Sequence, residues 1–292
     1  MNRLPLALMM ALLLAGCSTL RSDYQSPRTS LPPQWQQPVT GTATLQQQKW
    51  WHAFGDPRLD ALIEQALTRN NDLALAALKL QKARMQAGLT DTTQWPTPAA
   101  ELGASSSKAW ETGNGSTRSY HASASLSYEL DLWGRLAASR DAARWEAEAS
   151  AEDRAATALS LIGNTAGYYW QIAYLNEAIT LGEQSLADTR RALKLADVKY
   201  RAGAVGELDL LQARQDLASQ EAALSDLRNQ REQARTALAL LFDAAPEQHQ
   251  AERANLQQIT LPEVAAGLPA SLLSRRPDLR ASEWRLRSTL AT

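Results

Sequence analysis

Ser119-Tyr-His-Ala-Ser-Ala-Ser-Leu-Ser-Tyr-Glu-Leu-Asp-Leu132 alternates strictly between apolar and polar side chains and continues through Trp133-Gly134-Arg135 into a long helix-favouring stretch without proline. Read with the two-residue period of a strand, one face carries Tyr120, Ala122, Ala124, Leu126, Tyr128, Leu130 and Leu132, and the other His121, Ser123, Ser125, Ser127, Glu129 and Asp131. A membrane-barrel strand needs this alternation over about 9 to 11 residues, lipid side apolar and lumen side polar, whereas strands of soluble sheets commonly stop at about 5 or 6. The run is long enough to span a bilayer. From Leu136 to Ala202 the chain is rich in Ala, Leu, Glu, Arg and Gln. As one helix it would extend roughly 100 Å at about 1.5 Å per residue.

A second, weaker strand precedes the first. Trp95-Pro96-Thr-Pro98 stops a helix, after which Ala100, Leu102 and Ala104 alternate with Glu101, Gly103 and Ser105, and Glu111-Thr-Gly-Asn-Gly-Ser-Thr117 supplies a polar turn. The hairpin would carry Trp95 and Trp133 at its inner ends and Trp110 and Tyr120 at its outer ends, as the aromatic girdles of a membrane barrel do. A soluble hairpin with tryptophans at its turns is the plainer alternative.

Helical periodicity starts after Asp56-Pro57, with Asp56 as N-cap, and runs through Leu59, Leu62, Ile63, Ala66 and Leu67; a second helix follows from about Asp72. Beyond the hairpin, Ile172, Ile179, Leu186, Leu193 and Tyr200 fall seven apart, and so do Leu210, Leu217, Leu224 and Leu238, with Arg231 interrupting the second series. Two heptad seams joined by Arg201-Ala-Gly203-Ala-Val-Gly206-Glu-Leu-Asp209 make an antiparallel coiled-coil hairpin, its glycines permitting the reversal and Glu207 favourable to the dipole of the next helix. At this tip Arg201, Glu207 and Asp209 either meet a partner or simply cap helices.

The N-terminus begins with a positive residue, a short apolar run and small residues, the layout of an export signal over residues 1–16. It ends in Leu14-Ala15-Gly16-Cys17, and a lone exported cysteine has no intramolecular disulfide partner. Cys17 is therefore expected to carry lipid, and residues 17–55, rich in Ser, Thr, Pro and Gln at their start, to form an extended tether. Aromatic content of 6% with two Phe suits helix-on-helix packing, and a net charge of −1 without a basic face argues against nucleic acid.

The expected fold is mainly α with a membrane β-hairpin: helical residues 56–95, a transmembrane hairpin over 96–132, a long helical hairpin over 133–242 and a linker over 243–270. Residues 271–292 then begin a second repeat, because Leu273-Ser-Arg-Arg-Pro-Asp278-Leu279 echoes Leu67-Thr-Arg-Asn-Asn-Asp72-Leu73. On this reading the second repeat has barely begun at Thr292, and the chain is expected to be a truncated product that does not export as a normal trimer.

Tyr24, Pro27, Pro33 and Trp35, then Trp50-Trp51-His-Ala-Phe54-Gly-Asp56-Pro57-Arg-Leu59, Tyr128-Glu-Leu-Asp-Leu-Trp-Gly-Arg135, Tyr200-Arg-Ala-Gly203 with Asp209, and Leu273-Ser-Arg-Arg-Pro-Asp278 resemble the TolC family of outer membrane efflux lipoproteins, nearest the lipidated branch that serves RND-type pumps. The resemblance implies a homotrimeric tunnel, a β-barrel in the outer membrane continued by an α-barrel in the periplasm, working with a periplasmic membrane-fusion adaptor and an inner-membrane RND pump. By position it implies a lipid anchor at Cys17, barrel strands at 97–109 and 119–132, a strand-to-helix junction at Asp131, Trp133, Gly134 and Arg135, and an adaptor-contact tip at Tyr200, Arg201, Gly203, Gly206, Glu207 and Asp209. Ser18 after the cysteine suggests sorting to the outer membrane by the same resemblance.

Chemistry is not expected. His52, His121 and His249 are widely separated, the only cysteine sits at the processing site, and neither a phosphate loop nor a nucleophile elbow is present, so no catalytic residue, metal or cofactor is read. From another class, a periplasmic adaptor or structural coiled-coil lipoprotein would also contain an exported helical hairpin, but an adaptor flanks it with lipoyl-like β halves instead of a span-length strand pair.

Overall fold

The computed structural model describes residues 24–26, 49–108, 116–245, 250–257, 259, 261–262 and 275–291. The export signal, Cys17, Trp110, His249 and half of the 243–270 linker lie outside these residues. After a short 3-10 turn at Trp50–Phe54 come α1 (Pro57–Arg69), α2 (Asn71–Thr92), β1 (Thr97–Lys108), β2 (Ser116–Ser127), α3 (Arg135–Arg201), α4 (Glu207–Leu240) and α5 (Pro277–Ala291).

The first two helix starts have identifiable chemical causes. The Asp56 carboxylate accepts from the amides of Arg58 at 3.0 Å and Leu59 at 3.4 Å, while Pro57, with no N–H to satisfy, opens α1. Asn70 then ends α1 and starts α2: its Oδ1 accepts from the Leu73 amide at 2.9 Å, and its Nδ2 donates to the Leu241 carbonyl at 3.1 Å. α2 stops at Thr92, earlier than Trp95-Pro96 alone requires. Thr92 and Thr93 turn their hydroxyls onto the Leu89 and Thr90 carbonyls at 2.7 Å, which competes with helix continuation, and Pro96 drives Trp95 out of helical backbone.

β1 and β2 pair antiparallel from Thr97 opposite Ser127 to Lys108 opposite Ser116. The second strand was expected over 119–132; it begins three residues earlier and ends at Ser127. The ladder ends at the Thr97–Ser127 pair, and Tyr128–Leu132 lead to the helix without strand pairing. Tyr120, expected at the outer end, sits opposite Ala104, four residues in from Ser116.

The chain divides into two compact units. The first comprises the β-hairpin, α2 from Ala77, α3 to Arg154, and α5. In it the start of α3 is flanked by two helices. From α2, Asp91 pairs with Arg144 at 2.9 Å and Gln94 accepts from Arg140 at 3.1 Å. From α5, the Ser288 hydroxyl donates to the Ala142 carbonyl at 2.9 Å, Arg280 pairs with Glu152 at 2.5 Å, and Arg285 with Asp153. α5 begins 206 positions after α2, the offset at which the two Asp-Leu segments align.

The second unit holds the main core. Trp51, Leu59, Ile63 and Ala66 close over Leu161, Tyr169, Ile172 and Leu175 of α3 and Leu238 and Phe242 from the end of α4. Further along, Ile179 and Leu186 meet Leu224, with Leu217 and Leu227 beside them, so the two heptad series pack against each other over this stretch. The seam has a feature that periodicity hides: a Cβ at Gly182 would lie 3.2 Å from Leu224 Cδ1, so the missing side chain leaves room for that leucine. No helix among the described residues is long and apolar enough to cross a membrane, which says nothing of the strands.

Candidate functional site: hairpin tip and strand-to-helix junction

The tip residues come together in one turn. Gly203 adopts φ +70°, its amide donates to the Tyr200 carbonyl at 2.9 Å, and the Ala204 amide donates to the Lys199 carbonyl at 2.9 Å. This pair of bonds is a Schellman termination, which needs a residue tolerant of left-handed backbone. Gly206 was read as a reversal glycine of the same kind, but its φ of −79° is open to any residue. Its amide donates to Asp209 Oδ2 at 3.1 Å, and an added Cβ would meet only that oxygen, at 3.8 Å. The fold therefore asks for glycine at 203 and for Asp209 as a cap, and leaves Gly206 unexplained by the chain itself.

Around this turn Arg201 is paired with Asp197 at 2.8 Å, one helical turn back. Glu207 and Asp209 occupy the first turn of α4, where carboxylates favour the helix dipole. Tyr200 is 39% exposed and Leu208 68% exposed, placing apolar surface beside the paired charges at the end of the hairpin.

The junction residues also meet. The Asp131 carboxylate accepts from the amides of Leu136 at 3.1 Å and Ala137 at 2.8 Å, satisfying two of the orphan donors that open α3. Gly134 takes φ +74°, which lets the chain turn from extended to helical in four residues, and Arg135 reaches back to Glu129 at 2.6 Å. Trp133 is 71% exposed beside exposed Leu130 and Leu132. Above it the hairpin presents Leu102, Tyr120 and Leu126 on one face, with Leu102 85% exposed. The opposite face carries Ser123, Ser125 and the cross-strand pair His121–Glu101 at 3.6 Å. Gly103 faces His121 in the register, and a Cβ there would collide with the imidazole.

A third cluster, in the second unit, was missed by sequence reading. Tyr169 Oη donates to Asp56 Oδ2 at 2.8 Å and Arg253 Nη1 to the same oxygen at 2.9 Å. Glu252 pairs with Arg235 at 2.7 Å and Asn176 donates to the Arg253 carbonyl at 3.1 Å, so the 250–257 segment is fastened across α3 and α4. Burial opposes ionisation of Asp56, but the bonds from Tyr169, Arg253 and the Arg58 and Leu59 amides outweigh it and hold the carboxyl below its ordinary range. Burial and the same carboxylate push the Tyr169 phenol up. Arg253 lies in a stretch without periodicity, so only its contacts identify it.

Among the described residues no group of three or more His, Cys, Asp or Glu side chains could hold a metal ion. His52 is paired with Asp60 at 2.7 Å, far in sequence from the His121 pair.

Similarity agrees with this geometry. The family profile described as "Outer membrane efflux protein" matches residues 62–244. The chain is 32% identical over 294 residues to the pyoverdine export outer membrane protein OpmQ of Pseudomonas putida, covering 97% of this chain and 62% of that protein. It is 31% identical over 282 residues to the cation efflux system protein CusC of Escherichia coli K12, covering 94% of this chain and 61% of that one. Among solved structures, the open state of the Neisseria gonorrhoeae MtrE outer membrane channel superposes with a TM-score of 0.71 at 31% identity, covering 93% of this chain and 61% of that one. The chain thus spans about 60% of the length of the relatives it matches. With a family match over more than half of its length, the chain belongs to the outer membrane efflux protein family.

Proposed function

We propose that this chain supplies the outer membrane channel of a tripartite efflux system, passing small molecules through a tunnel built from several copies. The observation that carries the reading is the hairpin of two 12-residue strands with a bare apolar face, joined through the Asp131-capped junction to a 67-residue helix. Strands of that length match a tilted bilayer crossing, and the Leu102, Tyr120 and Leu126 face suits lipid while the serine face suits a wet lumen. Family members act as trimeric channels with periplasmic adaptors and inner-membrane pumps; in this reading the pump is of the RND type, the exposed turn at Tyr200–Asp209 is where the adaptor would meet this chain, and Cys17 is the lipid anchor.

One relative is named for pyoverdine export and another for cation efflux, so the shared fold accepts more than one cargo. The cargo follows the pump in this reading. The relatives are channel proteins, and no residue of this chain is given a covalent step.

The experiment is protease protection and heat-modifiable migration of residues 97–127 in isolated outer membranes, together with photocrosslinking from position 208 to the adaptor. Protection with crosslinking is expected. A chain recovered from the periplasmic fraction with an unprotected hairpin would favour the adaptor-like or structural coiled-coil alternative.

A further inference from the structure

In the first unit an N-terminal residue grips the last helix. The Arg287 guanidinium lies 4.5 Å from the Tyr24 ring centroid and 4.6 Å from that of Trp284, stacked between the two rings. Tyr24 Oη donates to Glu283 Oε1 at 3.0 Å, and Arg287 Nη2 donates to the same oxygen at 2.9 Å. Four side chains thus close a ring of contacts between residues 259 positions apart. A planar cation between two aromatic faces, with a shared carboxylate fixing both partners' orientation, is far more specific than an exposed ion pair.

The place of this clasp is informative. Ser288, next to Arg287, bonds to the carbonyl of Ala142, seven residues into α3 from Arg135. At about 1.5 Å per residue that is roughly 10 Å along α3 from the junction with its exposed Trp133. Cys17 precedes Tyr24 by seven residues, a reach of at most about 24 Å for extended chain. A lipid on Cys17 can therefore enter the membrane beside the hairpin while Tyr24 stays clasped.

We propose that Tyr24, Glu283, Trp284 and Arg287 form the docking site of the chain's own N-terminal tether, and that the clasp sets the height at which the lipid anchor holds the β-hairpin in the membrane. The height role rests on the lipidated, membrane-inserted reading above; the clasp itself does not.

Trypsin reads the clasp directly, because cleavage after Arg21 requires the following residues to leave their contacts and enter the protease cleft. In the detergent-extracted full chain, Arg287→Ala should speed that cleavage about tenfold, and Arg287→Lys, which keeps the charge but loses the planar stack, by less. Unchanged cleavage at Arg214 in both variants shows that the helices remain folded. Equal rates after Arg21 in wild type and Arg287→Ala overturn the clasp.

The height role is read in isolated outer membranes. Deleting Thr19–Asp23 leaves Tyr24 two residues from Cys17, a reach of about 7 Å, shorter than the roughly 10 Å of helix between the junction and Ala142, where the clasped helix is fastened. Hairpin protection should fall, and adding Arg287→Ala should restore it; wild-type protection in the deletion alone overturns the height role. Palmitate labelling of Cys17 in each chain keeps the two readings apart: an unlabelled wild type removes the anchor and its height, while the trypsin rates still decide the clasp.

Discussion

The backbone amide of Asn71 donates to the Asp243 carboxylate at 2.8 Å, so the residue just past α4 caps the first turn of a helix 172 positions earlier in the chain. Asp243 holds φ +51°, a left-handed backbone that non-glycine residues adopt at a cost. Cap and strained turn are one device: the turn aims the carboxylate at α2.

Asp243→Ala should therefore cost about 2 kcal/mol, combining a lost cap with an unrelieved left-handed backbone. Asp243→Gly loses the cap but relaxes the turn and should cost less, while Asp243→Asn should fall closest to wild type. Thermal unfolding of the detergent-extracted protein ranks the three, and an alanine variant as stable as the asparagine variant would count against the cap.

Acid should expose the Asp56 cluster. The Asp56 carboxyl is depressed in the folded state, so its stabilisation is fully present above the ordinary carboxylate pKa near 4 and is lost as pH falls through the lower folded value. Asp56→Asn should lower stability at neutral pH and flatten the loss below about pH 4. Arg253→Ala should cost on the order of 3 kcal/mol at neutral pH, because it leaves a buried carboxylate short of its cation. Denaturant midpoints measured from pH 7 to pH 3 check both.

The two tip glycines should separate folding from contact. Gly203→Ala forces a Cβ into φ +70° and should destabilise by about 1 kcal/mol. Gly206→Ala has ordinary backbone and space, so its melting temperature should match wild type. Weaker adaptor crosslinking in Gly206→Ala with an unchanged melt would assign that glycine to the partner; a lowered melt would assign it to the fold.

The hairpin faces should respond in opposite ways to charge. Leu102→Arg places a guanidinium on the apolar face and should cost about 2–4 kcal/mol of membrane stability if that face meets lipid at mid-depth. Ser125→Arg lies on the other face and should be tolerated. Heat-modifiable migration of the two variants decides, and equal tolerance would mean that neither face is in lipid.

The elements were largely legible in the sequence because each had a local cause. Alternation in Tyr120 to Leu126 needs only the pleat, the seven-residue spacing of Ile172, Ile179 and Leu186 needs only helix geometry, and Asp56-Pro57 announces its own helix start. The end of β2 was misplaced because alternation continues to Leu132 while pairing stops at Ser127; strand length depends on a partner strand, which alternation alone does not reveal. Gly206 was grouped with Gly203 because composition does not show φ.

The sequence by itself determined the order of elements, the two seams, the place of the strand-to-helix junction and the family resemblance, since each rests on periodicity or on short local motifs. Only the tertiary structure decided what lies across long separations: Asp243 on Asn71, Arg253 on Asp56, the vacancy at Gly182 that admits Leu224, and Arg287 between Tyr24 and Trp284. Such contacts are not set by spacing along the chain; they arise only when packed helices bring distant side chains within hydrogen-bond or stacking distance.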